Sequence, residues 1–247
     1  MKRIKCVISY DGTDFAGFQI QPKQRTVQGE LEKGLMKLHK GTFIRIHPSG
    51  RTDAGVHAIR QVFHFDTFLN LQVSNWRQAL NTVLPDDLVV KEANIVDSTF
   101  HARYSALEKE YRYYVLNHAD KDVFNRHYVC QFPYQLELKP MQEACEYFKG
   151  THDFTTFSSV KATIKGSKIR TLTHASCYMN NGKFEFIFRG DGFLYNMVRI
   201  MVGALLDIGQ GRRNPEDILE LLEQKDRRLL GKTAPPQGLY LWDVKYE

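Results

Sequence analysis

The chain has 247 residues, with 34 Lys plus Arg against 28 Asp plus Glu, a formal net charge of +6 and 12% aromatic residues. That length holds one large domain or two small ones with a substantial core, and the modest cationic surplus suits a polyanionic partner. No apolar run approaches the roughly 18 residues that a membrane span requires, which excludes a membrane partner of that kind.

The amino terminus, Met1-Lys2-Arg3-Ile4-Lys5, lacks the apolar stretch of a secretion signal. Cys6, Cys130, Cys145 and Cys177 are far apart and include no Cys-x-x-Cys pair, so reduced core thiols in a cytoplasmic protein are expected. The histidines show no ligand spacing, and no metal is expected.

Ile4, Cys6, Ile8 and Tyr10 alternate with Lys5, Val7 and Ser9, a period of two that predicts a half-buried strand ending at Asp11-Gly12. The stretch Tyr10 to Gln19 is rich in glycine and aromatics, and Phe15 and Phe18 can serve simply to cover the sheet edge. Thr26 caps a predicted helix with Val27, Leu31, Leu35 and Leu38 along one face. Phe43 to Ile46 and Gln61 to Phe65 read as extended runs. Between them lies the loop Ser49-Gly50-Arg51-Thr52-Asp53-Ala54-Gly55-Val56-His57-Ala58.

In that loop two glycines, fit for positive φ or close approach to a ligand, bracket a cation, a hydroxyl and a carboxylate in consecutive positions. Asp53 could cap a neighbouring amide in an ordinary turn, or it could carry chemistry. Ser74 opens a second predicted helix with Trp76, Leu80 and Val83, closed by Pro85, and Val89 to Val96 reads as a strand. The order β-α-β-β-α-β is that of a ferredoxin-like unit. RNA-binding modules of that topology stack bases on the open sheet face.

After the crossing segment Phe100 to Ala106, Glu110 to Val115 alternates as a strand with Tyr111, Tyr113 and Val115 on one face. Pro140 starts a helix with Met141, Ala144 and Phe148, ended by Gly150. Residues 151 to 168 read as a loop, basic through Lys161, Lys165, Lys168 and Arg170 and a candidate RNA contact. Asn181-Gly182 predicts a hairpin between Lys168–Met179 and Lys183–Phe188. Leu194, Val198, Met201 and Leu205 mark a long helix with Gly209 beyond its end. Asn214-Pro215 opens a last helix, and Gly238 to Val244 closes as a strand.

The decapeptide at Asp53 resembles the signature loop of the TruA family of tRNA pseudouridine synthases. Tyr10 to Gln19, Lys109-x-Tyr111-x-Tyr113, Asp153-Phe154-x-x-Phe157 and Phe193-Leu194-x-x-Met197-Val198-Arg199 resemble further motifs of that family, so the resemblance covers nearly the whole chain. It implies an α+β fold of two ferredoxin-like lobes, residues 1–105 and 106–247, forming a continuous, mostly antiparallel sheet with helices on one side and a central cleft. It implies Asp53 as the catalytic residue, Tyr111 as a base-stacking residue and Arg199 as a cleft cation paired with the aspartate. The expected activity is isomerisation of uridine to pseudouridine at positions 38 to 40 of the tRNA anticodon arm, by a homodimer, without a cofactor.

Read from the residues alone, Tyr111 and Tyr113 can both be core rings, Tyr113 as readily as not, and Arg51, two residues from Asp53, can pair with it in place of Arg199. Two rival functions remain. A glycosidase breaks the same kind of bond but usually needs two flanking carboxylates, and the loop supplies one. A non-catalytic RNA-binding protein would use the same basic surface and stacking rings.

Overall fold

The computed structural model describes residues 1–159 and 166–247. The chain divides into two compact units, Met1–Leu107 with Tyr240–Glu247, and Glu108–Leu239. Of the basic residues expected in the loop after residue 150, Lys161 and Lys165 lie outside the described residues.

The first unit contains β1 (Lys2–Tyr10), α1 (Val27–Leu38), β2 (His47–Pro48), β3 (His57–Thr67), α2 (Val73–Asn81) and β4 (Leu88–Val96). Its strands are ordered β4-β1-β3, antiparallel throughout. The other edge of β3 is divided. β2 pairs antiparallel with Phe63 and His64, and the closing strand β10 (Leu239–Lys245) pairs in parallel with His57 and Ala58. That pairing returns residues 240–247 to the first unit, whereas the sequence reading put them in the second lobe.

Helix α1 forms where expected: the Thr26 hydroxyl accepts the Gly29 N–H, and Val27, Leu31 and Leu35 are fully buried. From α2, Trp76 and Leu80 complete the core, with Trp76 edge-on to Phe65 at 5.4 Å. Helix α2 starts at Val73, ahead of Ser74, and the side chain of its N-terminal flanking residue, Gln72, makes no capping bond. The run Phe43 to Ile46 is not a strand. The Ile46 N–H bonds to Glu32 Oε1 on α1, and pairing starts only at His47.

The second unit contains β5 (Glu108–Leu116), β6 (Cys130–Gln131), α3 (Leu138–Tyr147), β7 (Gly150–Asp153), β8 (Ile169–Asn180), β9 (Lys183–Gly190), α4 (Met197–Gly209) and α5 (Asp217–Gln224). Its sheet runs β5-β9-β8-β7, antiparallel, with β6 parallel to β5 at Val115 and Leu116. The hairpin turn has φ of 49° at Asn181 and 72° at Gly182, the backbone an Asn-Gly pair is chosen for. On one face of the sheet, Tyr111, Tyr113 and Val115 lie opposite Phe188, Phe186 and Phe184, and all six are buried.

Three expectations shift here. The segment from residue 151 was read as loop, but its first residues form β7, paired with β8 from Gly150↔Leu172 to Asp153↔Ile169. Gly209 is the last residue of α4 and packs against Met141 of α3, where a Cβ would come within 2.8 Å of the sulfur. Helix α5 begins at Asp217, two residues after Pro215, and Asp217 Oδ2 accepts the Asn214 N–H.

Candidate active site

Asp53 sits in the loop joining β2 to β3, half-buried, with its position fixed from both sides. The Thr52 carbonyl accepts the Phe18 N–H at 3.0 Å, the Gly55 N–H donates to the Phe15 carbonyl at 3.3 Å, and the Val56 N–H closes a turn on the Asp53 carbonyl at 3.2 Å. The Tyr10 hydroxyl at the end of β1 lies 2.7 Å from that of Thr52. Burial pushes the Tyr10 phenol upward, so it stays protonated at neutral pH. Of the two bracketing glycines only Gly55 needs its freedom, with φ of 75°.

Upstream of Asp53, Gln61 anchors the loop. Its Oε1 accepts the Ser49 hydroxyl at 2.5 Å and its Nε2 donates to the Gly50 carbonyl at 3.0 Å. Downstream, His57 is buried against Tyr240, 4.7 Å between ring centres, and its Nδ1 accepts the Gly12 N–H at 3.0 Å. Asp11 Oδ1 lies 3.2 Å from the same nitrogen. The neutral ring serves Gly12; protonation would turn that acceptor into a donor toward Asp11. Gly12 itself admits no side chain, because a Cβ would meet the Val56 carbonyl oxygen at 2.1 Å.

This framework was missed in the sequence. Its signal is the set of polar residues on β3, His57 and Gln61 among them, that take buried positions beside Val62, Phe63 and Phe65. Buried polar side chains need partners, and here Gln61 finds them in Ser49 and Gly50 of the loop and His57 finds one in the Gly12 N–H.

Arg51 is exposed in the same loop as Asp53. Tyr111 and Arg199 belong to the second unit. The Tyr111 ring is 8% exposed and meets Phe193 edge-on at 4.9 Å. Tyr113 is a core residue, fully buried, with its hydroxyl donating to the Pro235 carbonyl at 2.7 Å. Arg199, in the first turn of α4, donates from Nε to the Ala234 carbonyl at 2.7 Å and from Nη1 to Asn196 Oδ1 at 2.9 Å. Asn196 holds that oxygen from a left-handed backbone, φ 61°. These two bonds hold Nε and Nη1 of the guanidinium.

A carboxylate on a hydrogen-bonded loop can act as nucleophile or base, since an aspartate is already ionised near neutral pH. Among the described residues no group of three His, Cys, Asp or Glu could hold a metal ion, and no helix is long and apolar enough to cross a membrane.

The family model described as tRNA pseudouridine synthase matches residues 6–105 and 144–247. The chain belongs to that family. Asp53 and Arg199 fall inside the matched ranges, and Tyr111 falls between them. Among similar proteins, the tRNA pseudouridine synthase A of Oceanobacillus iheyensis is 60% identical over 247 residues, covering 100% of this chain and 98% of the relative. That of Geobacillus kaustophilus is 56% identical over 246 residues, covering 100% and 95%. A crystal structure of a Cbf5-Nop10-Gar1 complex aligns with a TM-score of 0.35 and 12% identity over 82% of this chain and 54% of that one, a likeness too slight to argue from.

Proposed function

We propose that this protein isomerises uridine to pseudouridine in tRNA, at positions 38 to 40 of the anticodon arm, with Asp53 as the catalytic residue. The observation that carries the reading is the full-length match to tRNA pseudouridine synthases, together with a loop in which Asp53 is the only carboxylate.

The reaction breaks the bond between ribose C1′ and uracil N1, turns the base, and joins C1′ to C5. A proton leaves C5 and N1 gains one, so atoms balance without an oxidant or co-reactant. Asp53 can enter by attacking C1′, by attacking C6 of the ring, or by taking a ribose proton. The target base must first leave its stack, at a cost of a few kcal/mol. An aromatic ring that replaces the stacking returns about 1–3 kcal/mol. Tyr111 is assigned that role, and Arg199 and Arg51 are assigned to substrate binding. The homodimer and the cytoplasmic setting belong to the same reading and rest on the family resemblance.

The deciding experiment incubates the protein with an unmodified tRNA transcript and looks for a uridine of unchanged mass whose carbodiimide adduct is stable. A glycosidase would leave an abasic site, and a simple RNA-binding protein would leave the transcript unaltered. Either result would replace the proposal.

A further inference from the structure

A file of rings leads from the core of the first unit to its surface on the crossing segment after β4. His64 on β3 is buried, and its ring lies 5.0 Å from His47, nearly parallel, and 4.8 Å from His101, edge-on. His101 in turn lies 4.4 Å from Tyr104, at 34°. Tyr104 is 77% exposed, and the Arg103 guanidinium stands 5.7 Å over its ring.

This exposed ring is not on a slack loop. The Arg103 and Tyr104 N–H groups converge on His101 Nδ1 at 3.1 and 3.4 Å, and Ser105 bonds back to the His101 backbone through both its N–H and its hydroxyl. Ala102 is held from two directions: its N–H donates to His64 Nδ1 at 3.1 Å, and its carbonyl accepts the Tyr246 hydroxyl at 2.6 Å. Arg3 on β1 fixes the Phe100 carbonyl at 2.8 Å. Three separate parts of the unit thus present Tyr104 to solvent in one orientation.

The neighbours of this ring decide what it fits. They are the Arg103 guanidinium and the His101 imidazole, so an apolar protein surface would have to bury Arg103 beside it. An unpaired base with its phosphate satisfies both kinds of group, since the base has a π face for Tyr104 and the phosphate an anion for Arg103. We infer that Tyr104, backed by His101 and flanked by Arg103, is a stacking platform for an unpaired base of the RNA substrate. It lies away from the Asp53 loop along β3, because that strand begins at His57 beside the loop and His64 is seven residues further on, toward its other end at Thr67. The inference rests on the reading of tRNA as substrate.

The test uses the whole protein and a tRNA transcript in which 4-thiouridine replaces part of the uridine. Irradiation should crosslink the peptide containing residues 100–106, located by mass spectrometry in the wild-type chain, where no variant can misfold. In parallel, Tyr104→Ala should weaken binding about fivefold to a hundredfold, while Tyr104→Phe stays within twofold. Arg103→Gln should lower the slope of log affinity against log salt by about one. Absence of the crosslink, or binding of Tyr104→Ala within twofold of wild type, overturns the platform. Such a failure would leave wild-type pseudouridine formation intact. If the wild type formed no pseudouridine, the proposed reaction would fall, and the crosslink would still report on the platform.

Discussion

The hydroxyls of Tyr10 and Thr52 meet at 2.7 Å, tying the last residue of β1 to the residue immediately before Asp53. Thr52 is buried, so water does not replace this bond when it is lost. Tyr10 is therefore a positioning residue for the carboxylate. Tyr10→Phe keeps the ring and removes the bond, which should cost about 1 kcal/mol of stability and lower kcat with little change in KM. A variant with lower stability and unchanged kcat would make the contact purely structural.

Asp53→Asn retains shape and polarity but loses charge and nucleophilicity. Pseudouridine formation should fall by about 10⁴-fold or more, while tRNA affinity stays close to that of the wild type. Single-turnover assays with saturating protein measure both. Activity within tenfold of wild type would remove Asp53 from the chemistry.

Tyr111 requires two substitutions, because it packs against Phe193 and this packing must be separated from the proposed stacking role. Tyr111→Phe should bind tRNA normally if stacking is the role. If the hydroxyl moves a proton, Phe should slow turnover by about 10²–10⁴ with binding intact. Tyr111→Ala should lose about 1–3 kcal/mol of binding, but opening a cavity in a buried site can cost about 3–5 kcal/mol of stability. Thermal melts of both variants therefore come first.

His64 makes stability depend on pH. Burial, followed by the nearby charges of Arg3, His101 and His47, takes its pKa from the ordinary 6.5 to about 4. The unfolded chain then binds a proton that the folded chain refuses, so the group's contribution is fully present above pH 6.5. It is lost as pH falls toward 4, by at most about 3 kcal/mol. His101, also lowered by burial, adds in the same direction. His64→Asn places an oxygen where Nδ1 accepts the Ala102 N–H and removes the titration. Denaturant melts from pH 7.5 to 4.5 should show a shallower loss for this variant than for wild type. Equal slopes would mean that His64 is not the source.

Periodicity made most helices and strands legible, since an apolar stripe at 3.6 or 2 residues is written into the side chains themselves. The failures fall where a distant partner decides. Phe43 to Ile46 has the look of a strand, but Glu32 takes the Ile46 N–H in place of a neighbouring strand. The residues after Gly150 have no apolar alternation, yet β8 offers a free edge and draws them into β7. At the candidate site the decapeptide was readable because its chemistry is local. The braces on it were not, since Tyr10 and Gln61 reach the loop from β1 and β3, and His57 at its end is tied to Gly12.

The divided edge of β3 bears on how the protein is made. Ribosomes add about 5–20 residues per second, so the segment Met1–Leu107 waits on the order of ten seconds before Tyr240 and Leu241 emerge to cover His57 and Ala58. Through that interval the β3 edge beside the Asp53 loop is an unpaired ladder, open to strands of other nascent chains. Slow translation or a stalled message would prolong this exposure, making the second half of the gene the stretch where synthesis speed bears most on yield.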